Sequence, residues 1–144
     1  MSDQTGHTNT LYLDIPADHR YVSVLVVALA EVLDRAGFAA TQQDVYNVQL
    51  AVQEACTNIV DHAYGSRPDG RIQATFILES EAQRLTVWLV DTGKGFDPHD
   101  VPQPMLDTPQ IHGYGLYLME QLMDDVDYES GPDQNRWCLV KQFA

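Results

Sequence analysis

The feature that most constrains the fold of this chain is a change of period. Between Val45 and Ile59, apolar residues recur at three–four spacing (Val45, Val48, Val52, Ala55, Ile59), which places them along one face of a helix. A few residues later the period drops to two. Ile72, Ala74, Phe76 and Leu78 alternate, then Leu85, Val87 and Leu89 alternate, with Ser80–Gln83 as a hairpin connection. A helix with one apolar stripe and a sheet with one apolar face each need a cover, and each covers the other. Thr41 and Asp44 resemble a capping box at the start of the helix. Gly65 stops it after about Tyr64.

The remaining elements fit around this pair. Leu11, Leu13 and Ile15 alternate as a short strand. Asp18 caps a helix running to about Arg35, with Gly37 as its terminator. That helix is apolar around most of its circumference (Val22, Val24, Leu25, Val26, Val27, Leu29) and is expected to be largely covered. Phe96 to His112 has no useful period and holds Pro98, Pro102, Pro104 and Pro109, four of the seven prolines. A loop of this length inside a compact domain is usually functional or mobile. Gly113 to about Asp124 reads as a short helix, followed by strands Val126–Ser130 and Arg136–Phe143 around the turn Gly131-Pro132-Asp133. The order β-α-α-β-β-α-β-β predicts an α/β two-layer sandwich: a mixed, mainly antiparallel sheet with helices on one face. It forms a single domain over residues 11–144, after a polar tail at 1–10 expected to be disordered.

Charge narrows the partners. There are 21 acidic residues against 8 basic ones, a net charge of −13. Nucleic-acid surfaces need clustered Lys and Arg, so no direct nucleic-acid binding is expected. Cys56 and Cys138 fit no metal or redox spacing and read as buried free thiols. The opening MSDQTGHTNT lacks a signal-peptide pattern. The apolar run Val22–Ala30, interrupted by Glu31, is too short to span a bilayer. A cytoplasmic protein with no membrane contact is expected.

Three places carry candidate chemistry. The first is Asp91-Thr92-Gly93-Lys94-Gly95, a carboxylate at a strand end followed by two glycines. Strand ends commonly carry Asp and Gly for reasons of turn geometry alone. The Asp-Thr-Gly of an aspartic protease is a second reading. It requires two carboxylates sharing a proton, hence a dimer. Those proteases have a small residue where this chain has Lys94, and they are almost entirely β. The third reading is an acidic hook in a nucleotide pocket. The second place is the long helix, where Glu54 and Asn58 lie one turn apart on a flank off the apolar stripe, continued by His62. An isolated Glu-x-x-x-Asn pair is more commonly a hydrated polar face. The third place is His112-Gly113-Tyr114-Gly115-Leu116, glycines opening a helix whose free N–H groups suit phosphates. No phosphate loop of the Gly-x-x-x-x-Gly-Lys-Ser/Thr type is present, nor a dinucleotide fingerprint.

In this order, Glu54-x-x-x-Asn58, Asp91-x-Gly93-x-Gly95-Phe96 and Gly113-x-Gly115-Leu116 resemble the ATP-binding domain shared by DNA gyrase, histidine kinases and the mismatch-repair ATPase (the GHKL, or Bergerat, fold). Within that superfamily the chain looks most like the stand-alone anti-sigma factor serine/threonine kinases of bacteria. Glu54-Ala-Cys-Thr-Asn58-Ile-Val-Asp-His62-Ala-Tyr64 is similar to their helix motif, and Gly113-Tyr-Gly-Leu-Tyr-Leu-Met-Glu120 to their second glycine box. The resemblance covers about Asp14 to Phe143. It implies ATP and Mg²⁺ as cofactors, with Asn58 as the metal ligand. It implies that Asp91 accepts a hydrogen bond from the adenine amino group. Gly93 and Gly95 then let the backbone approach the base, and Gly113 and Gly115 shape the phosphate end and hinge a lid. Glu54 is implied as the general base or orienting group for a substrate serine or threonine hydroxyl. The implied partners are an anti-anti-sigma protein as substrate, a sigma factor, and a second copy in a homodimer. One departure from the family lies between the glycine boxes, where the segment is short and proline-rich with Lys94 as its only cationic residue. His112 has no role assigned by the resemblance. The rival reading is a non-catalytic ATP-binding module that sequesters a sigma factor or another regulator. Retention of Glu54 with Asn58 favours the enzyme.

Overall fold

The computed structural model describes residues 7–95 and 115–143. Five strands and three helices follow in the order β1 (Thr8–Pro16), α1 (His19–Arg35), α2 (Gln42–Asn58), β2 (Arg71–Glu79), β3 (Arg84–Asp91), α3 (Gly115–Leu122), β4 (Asp125–Ser130), β5 (Asn135–Gln142). The sheet order is β1-β2-β3-β5-β4. Every pairing among these strands is antiparallel, so the expected mixed sheet is corrected to an antiparallel one. The β2–β3 and β4–β5 pairs are joined by connections of four residues, which only antiparallel neighbours allow.

Strand alternation sorts the side chains cleanly. Ile72, Ala74, Phe76 and Leu78 of β2, Leu85, Val87 and Leu89 of β3, and Trp137 and Leu139 of β5 are buried. They meet Val22, Leu25, Leu29 and Leu33 of α1 and Val48, Ala51, Val52, Ala55 and Cys56 of α2. Helix α2 packs against both α1 and α3. Its N-terminus carries the full capping box, Asp44 N–H donating to Thr41 Oγ1 (3.0 Å) and Thr41 N–H to Asp44 Oδ2 (3.1 Å). Asp18 caps α1 by accepting from Arg20 N–H (2.8 Å). Gly37 (φ +73°) ends the connection after α1 in the left-handed conformation that glycine tolerates.

Several expectations change. Strand β1 begins at Thr8, so residues 8–10 pair with β2 instead of forming tail, while residues 1–6 of that tail lie outside the described residues. Helix α1 is not covered all round: Val24 (56% exposed), Val27 (64%) and Tyr21 face outward. The Val22–Leu25–Leu29–Leu33 stripe is buried in the core, with Val26, Ala28 and Val32 half-buried at its margins. Cys138 is half-buried, because β5 turns Trp137 and Leu139 inward and Cys138 outward. Cys56 is buried, and that pushes its thiol up to about 12. Among the described residues, no helix is long and apolar enough to cross a membrane.

Candidate active site

The helical half of the site ends on an irregularity. Asn58 is the last residue of α2, and Ile59–Ala63 continues the chain as one wide π turn. Tyr64 N–H donates to Ile59 O (3.0 Å), closing the five-residue step. Gly65 (φ +58°) then turns the chain away. The helix thus reaches Tyr64 as expected, but its final turn is widened. Ala63 O has left the helical ladder and accepts Lys94 N–H (2.7 Å) from the first glycine box. Tyr64 adds a second tie: its hydroxyl donates to Arg71 O (2.7 Å) and accepts Thr92 N–H (2.9 Å). The end of the Glu54–Asn58 helix and the loop after Asp91 are therefore docked backbone to backbone.

That docking explains the glycines. A Cβ at Gly93 would overlap the Ala63 carbonyl, which is backbone and cannot swing aside. A Cβ at Gly95 would overlap Ser130 Oγ and crowd Asn135 Oδ1 at 2.9 Å. Backbone packing thus requires Gly93, and a side chain at Gly95 would have to displace Ser130. Gly115 opens α3, and a Cβ there would lie 3.3 Å from Glu54 Oε2 and 3.4 Å from Asn58 Nδ2. Gly115 of the second glycine box, Glu54 and Asn58 are thus brought together. Glu54 is partly shielded from water, which raises its carboxyl above the usual range. Gly113 and His112 lie outside the described residues.

The sheet half is built around Asp91. It is the fourth inward residue of β3 after Leu85, Val87 and Leu89, so the pleat drives a carboxylate to the interior (2% exposed). Its Oδ1 accepts Gly93 N–H (2.9 Å) and Asn135 Nδ2 (2.9 Å). Its Oδ2 is buried and has no hydrogen-bond partner among the described residues. Burial raises the Asp91 pKa, opposed by the bonds from Asn135 and Gly93. A buried acceptor without a donor is costly, and a ligand N–H would satisfy it. The adenine amino group is such a donor, so the residues present fit ATP. Asn58 offers an amide oxygen of the kind Mg²⁺ accepts. Among the described residues, no group of three His, Cys, Asp or Glu side chains could hold a metal ion.

Asn135 and Ser130 escaped the sequence reading. Asn135 follows Gly131-Pro132-Asp133-Gln134 and reads as turn punctuation. Only strand register puts it opposite Asp91.

The histidine kinase-like ATPase domain model matches residues 15–141. The chain belongs to that family. Within this ATPase family it stands with the serine-protein kinases. The serine-protein kinase RsbW of Bacillus cereus (strain AH187) is 37% identical over 123 residues, covering 79% of this chain and 73% of that protein. The RsbW of Bacillus thuringiensis subsp. konkukian (strain 97-27) matches to the same extent. The fold superposes on the RsbU and RsbW domains of Rv1364c from Mycobacterium tuberculosis with a TM-score of 0.67 at 19% identity, covering 94% of this chain and 32% of that one. It also matches the histidine kinase domain of the Erythrobacter litoralis EL346 blue-light activated histidine kinase (TM-score 0.56, 19% identity, covering 90% and 62%). The histidine kinase-like ATPase fold is common to all of them, and membership of this family entails the use of ATP.

Proposed function

We propose that the chain is an ATP- and Mg²⁺-dependent serine/threonine kinase of the anti-sigma type, phosphorylating a small anti-anti-sigma protein and binding a sigma factor. The observation that carries the ATP site is the bare, buried Oδ2 of Asp91. It accepts from the adenine amino group and rejects guanine, which presents an acceptor at that position. Asn58 holds Mg²⁺ through its amide oxygen. When bound, the ion neutralises charge developing on the phosphates. Gly113 and Gly115 form the phosphate end. Glu54, raised by burial toward the operating pH, takes the proton from the substrate hydroxyl as that oxygen bonds to the γ-phosphorus and ADP leaves.

The exposed apolar surface supports a homodimer. Leu11 and Tyr12 on the edge strand β1, with Tyr21, Val24 and Val27 on α1, lie uncovered in the single chain. The protein acts away from membranes and nucleic acid, in the cytoplasm.

The deciding experiment supplies Mg²⁺, γ-labelled ATP and candidate small acceptor proteins from the native host, and reads label on serine or threonine. Transfer establishes the kinase. Tight binding of ATP and partner with no transfer to any acceptor gives the answer to the binding module instead.

A further inference from the structure

One end of the sheet carries a polar row across three strands. Register pairs Ser130 of β4 with Asn135 of β5, and Asn135 with Asp91 of β3. Ser130 Oγ donates to Asn135 Oδ1 (2.8 Å). With its oxygen occupied, Asn135 turns its Nδ2 inward, donating to Asp91 Oδ1 (2.9 Å) and Gly93 O (3.0 Å). Asn135 is itself buried (1% exposed). Gly93 N–H also lands on Asp91 Oδ1. Both donors thus meet one carboxylate oxygen, and the other is left bare.

A carboxylate torsion is broad, so the plane of an untethered Asp turns over a wide range. Here two donors on one oxygen fix that plane. We propose that Asn135, oriented by Ser130, is a positioning residue for base recognition, locking Asp91 so that a single bare oxygen faces the exocyclic amino group of adenine. This rests on the reading of Asp91 as the base-binding residue. Asn135 has a second effect through the same bond. Its donation opposes the upward push of burial on Asp91 and so favours the charged form of the carboxylate. The influences on that carboxyl are burial, Asn135 and the Gly93 N–H. A preorganised acceptor needs no ordering when the ligand arrives, which favours affinity and discrimination together.

The test uses calorimetric titration of the whole chain with Mg²⁺–ATP and Mg²⁺–GTP across a pH series. Asn135→Leu keeps volume and removes the donor. ATP affinity is expected to fall about 10- to 100-fold, the scale of a hydrogen bond to a charged group, and the preference over GTP to shrink with it. ATP favours the ionised carboxylate, so affinity is lost as pH falls through the free-state pKa of Asp91. Removing a donor raises that pKa, so the acid limb of binding should move to higher pH. Ser130→Ala, which frees the amide to flip but keeps it, should show the same changes at a few-fold scale. A merely structural Asn135 would lower the unfolding midpoint and leave the acid limb in place. If Asn135→Leu and Ser130→Ala are folded by circular dichroism and keep the parent acid limb and ATP/GTP ratio, the positioning role is overturned. Asp91→Asn separates the two levels: unchanged ATP affinity and base preference in that variant would sink the base-binding reading itself.

Discussion

The two halves of the site are built to different stiffness. The base half is a row of side chains in strand register, with Ser130, Asn135 and Gly93 all bonded to one another or to Asp91. Its glycines are closed in by backbone and short side chains. The half proposed as catalytic stands on the last turn of α2, where Glu54 and Asn58 present the free ends of longer side chains to Gly115. The contrast suits the tasks. Selecting a base calls for a fixed acceptor, while proton transfer to and from a visiting protein tolerates a group that adjusts when the complex forms. The π turn joins the halves, since Ala63 O binds Lys94 N–H and couples the helix end to the glycine loop.

Four substitutions break or sharpen that contrast, the strongest first. Glu54→Gln keeps shape and loses basicity, so phosphate transfer should fall about 10²–10⁴-fold with ATP affinity nearly unchanged. In the unmodified protein, transfer should be lost as pH falls through the raised Glu54 pKa, above the ordinary carboxylate range. Single-turnover transfer over a pH series reads both, and a full rate in Glu54→Gln would remove Glu54 as base. Asp91→Asn should act on the other half alone, weakening ATP binding by about 1.5–3 kcal/mol as measured by titration.

Gly93→Ala drives a methyl into the Ala63 carbonyl and the Lys94 bond. It should destabilise the fold by about 1–3 kcal/mol, the scale of overpacking, and weaken ATP as well; urea unfolding and titration together check this. Gly115→Ala meets only flexible side-chain ends. Its stability should hold or rise by up to about 1 kcal/mol, because alanine is the better helix former, while transfer slows a few-fold through displaced Glu54. Equal destabilisation by the two alanines would erase the proposed difference in stiffness.

How much of this was legible in sequence depends on the range of the interaction involved. The capping box, the glycine stops and the inward pleat are local, so Thr41–Asp44, Gly37, Gly65 and the buried side chains of β2 and β3 could be read directly. Asp91 at the end of an apolar alternation was visible for the same reason, as was the one-turn spacing of Glu54 and Asn58. The exposed flank of α1 departs from the sequence expectation because apolar composition does not say which elements lie nearby. Val24 and Val27 are as apolar as Val22, yet only Val22 faces the core.

The sequence by itself determined the periods, the caps and the three motifs, since each rests on residues a few positions apart and on the geometry of one helix or one strand. Tertiary structure alone decided that the sheet is wholly antiparallel, that the helix ends in a π turn whose carbonyl receives Lys94, and that Ser130 and Asn135 stand beside Asp91. Asn135 and Asp91 are 44 residues apart in the chain. Strand register places them side by side, and register follows from the burial of entire faces and not from either residue's own identity.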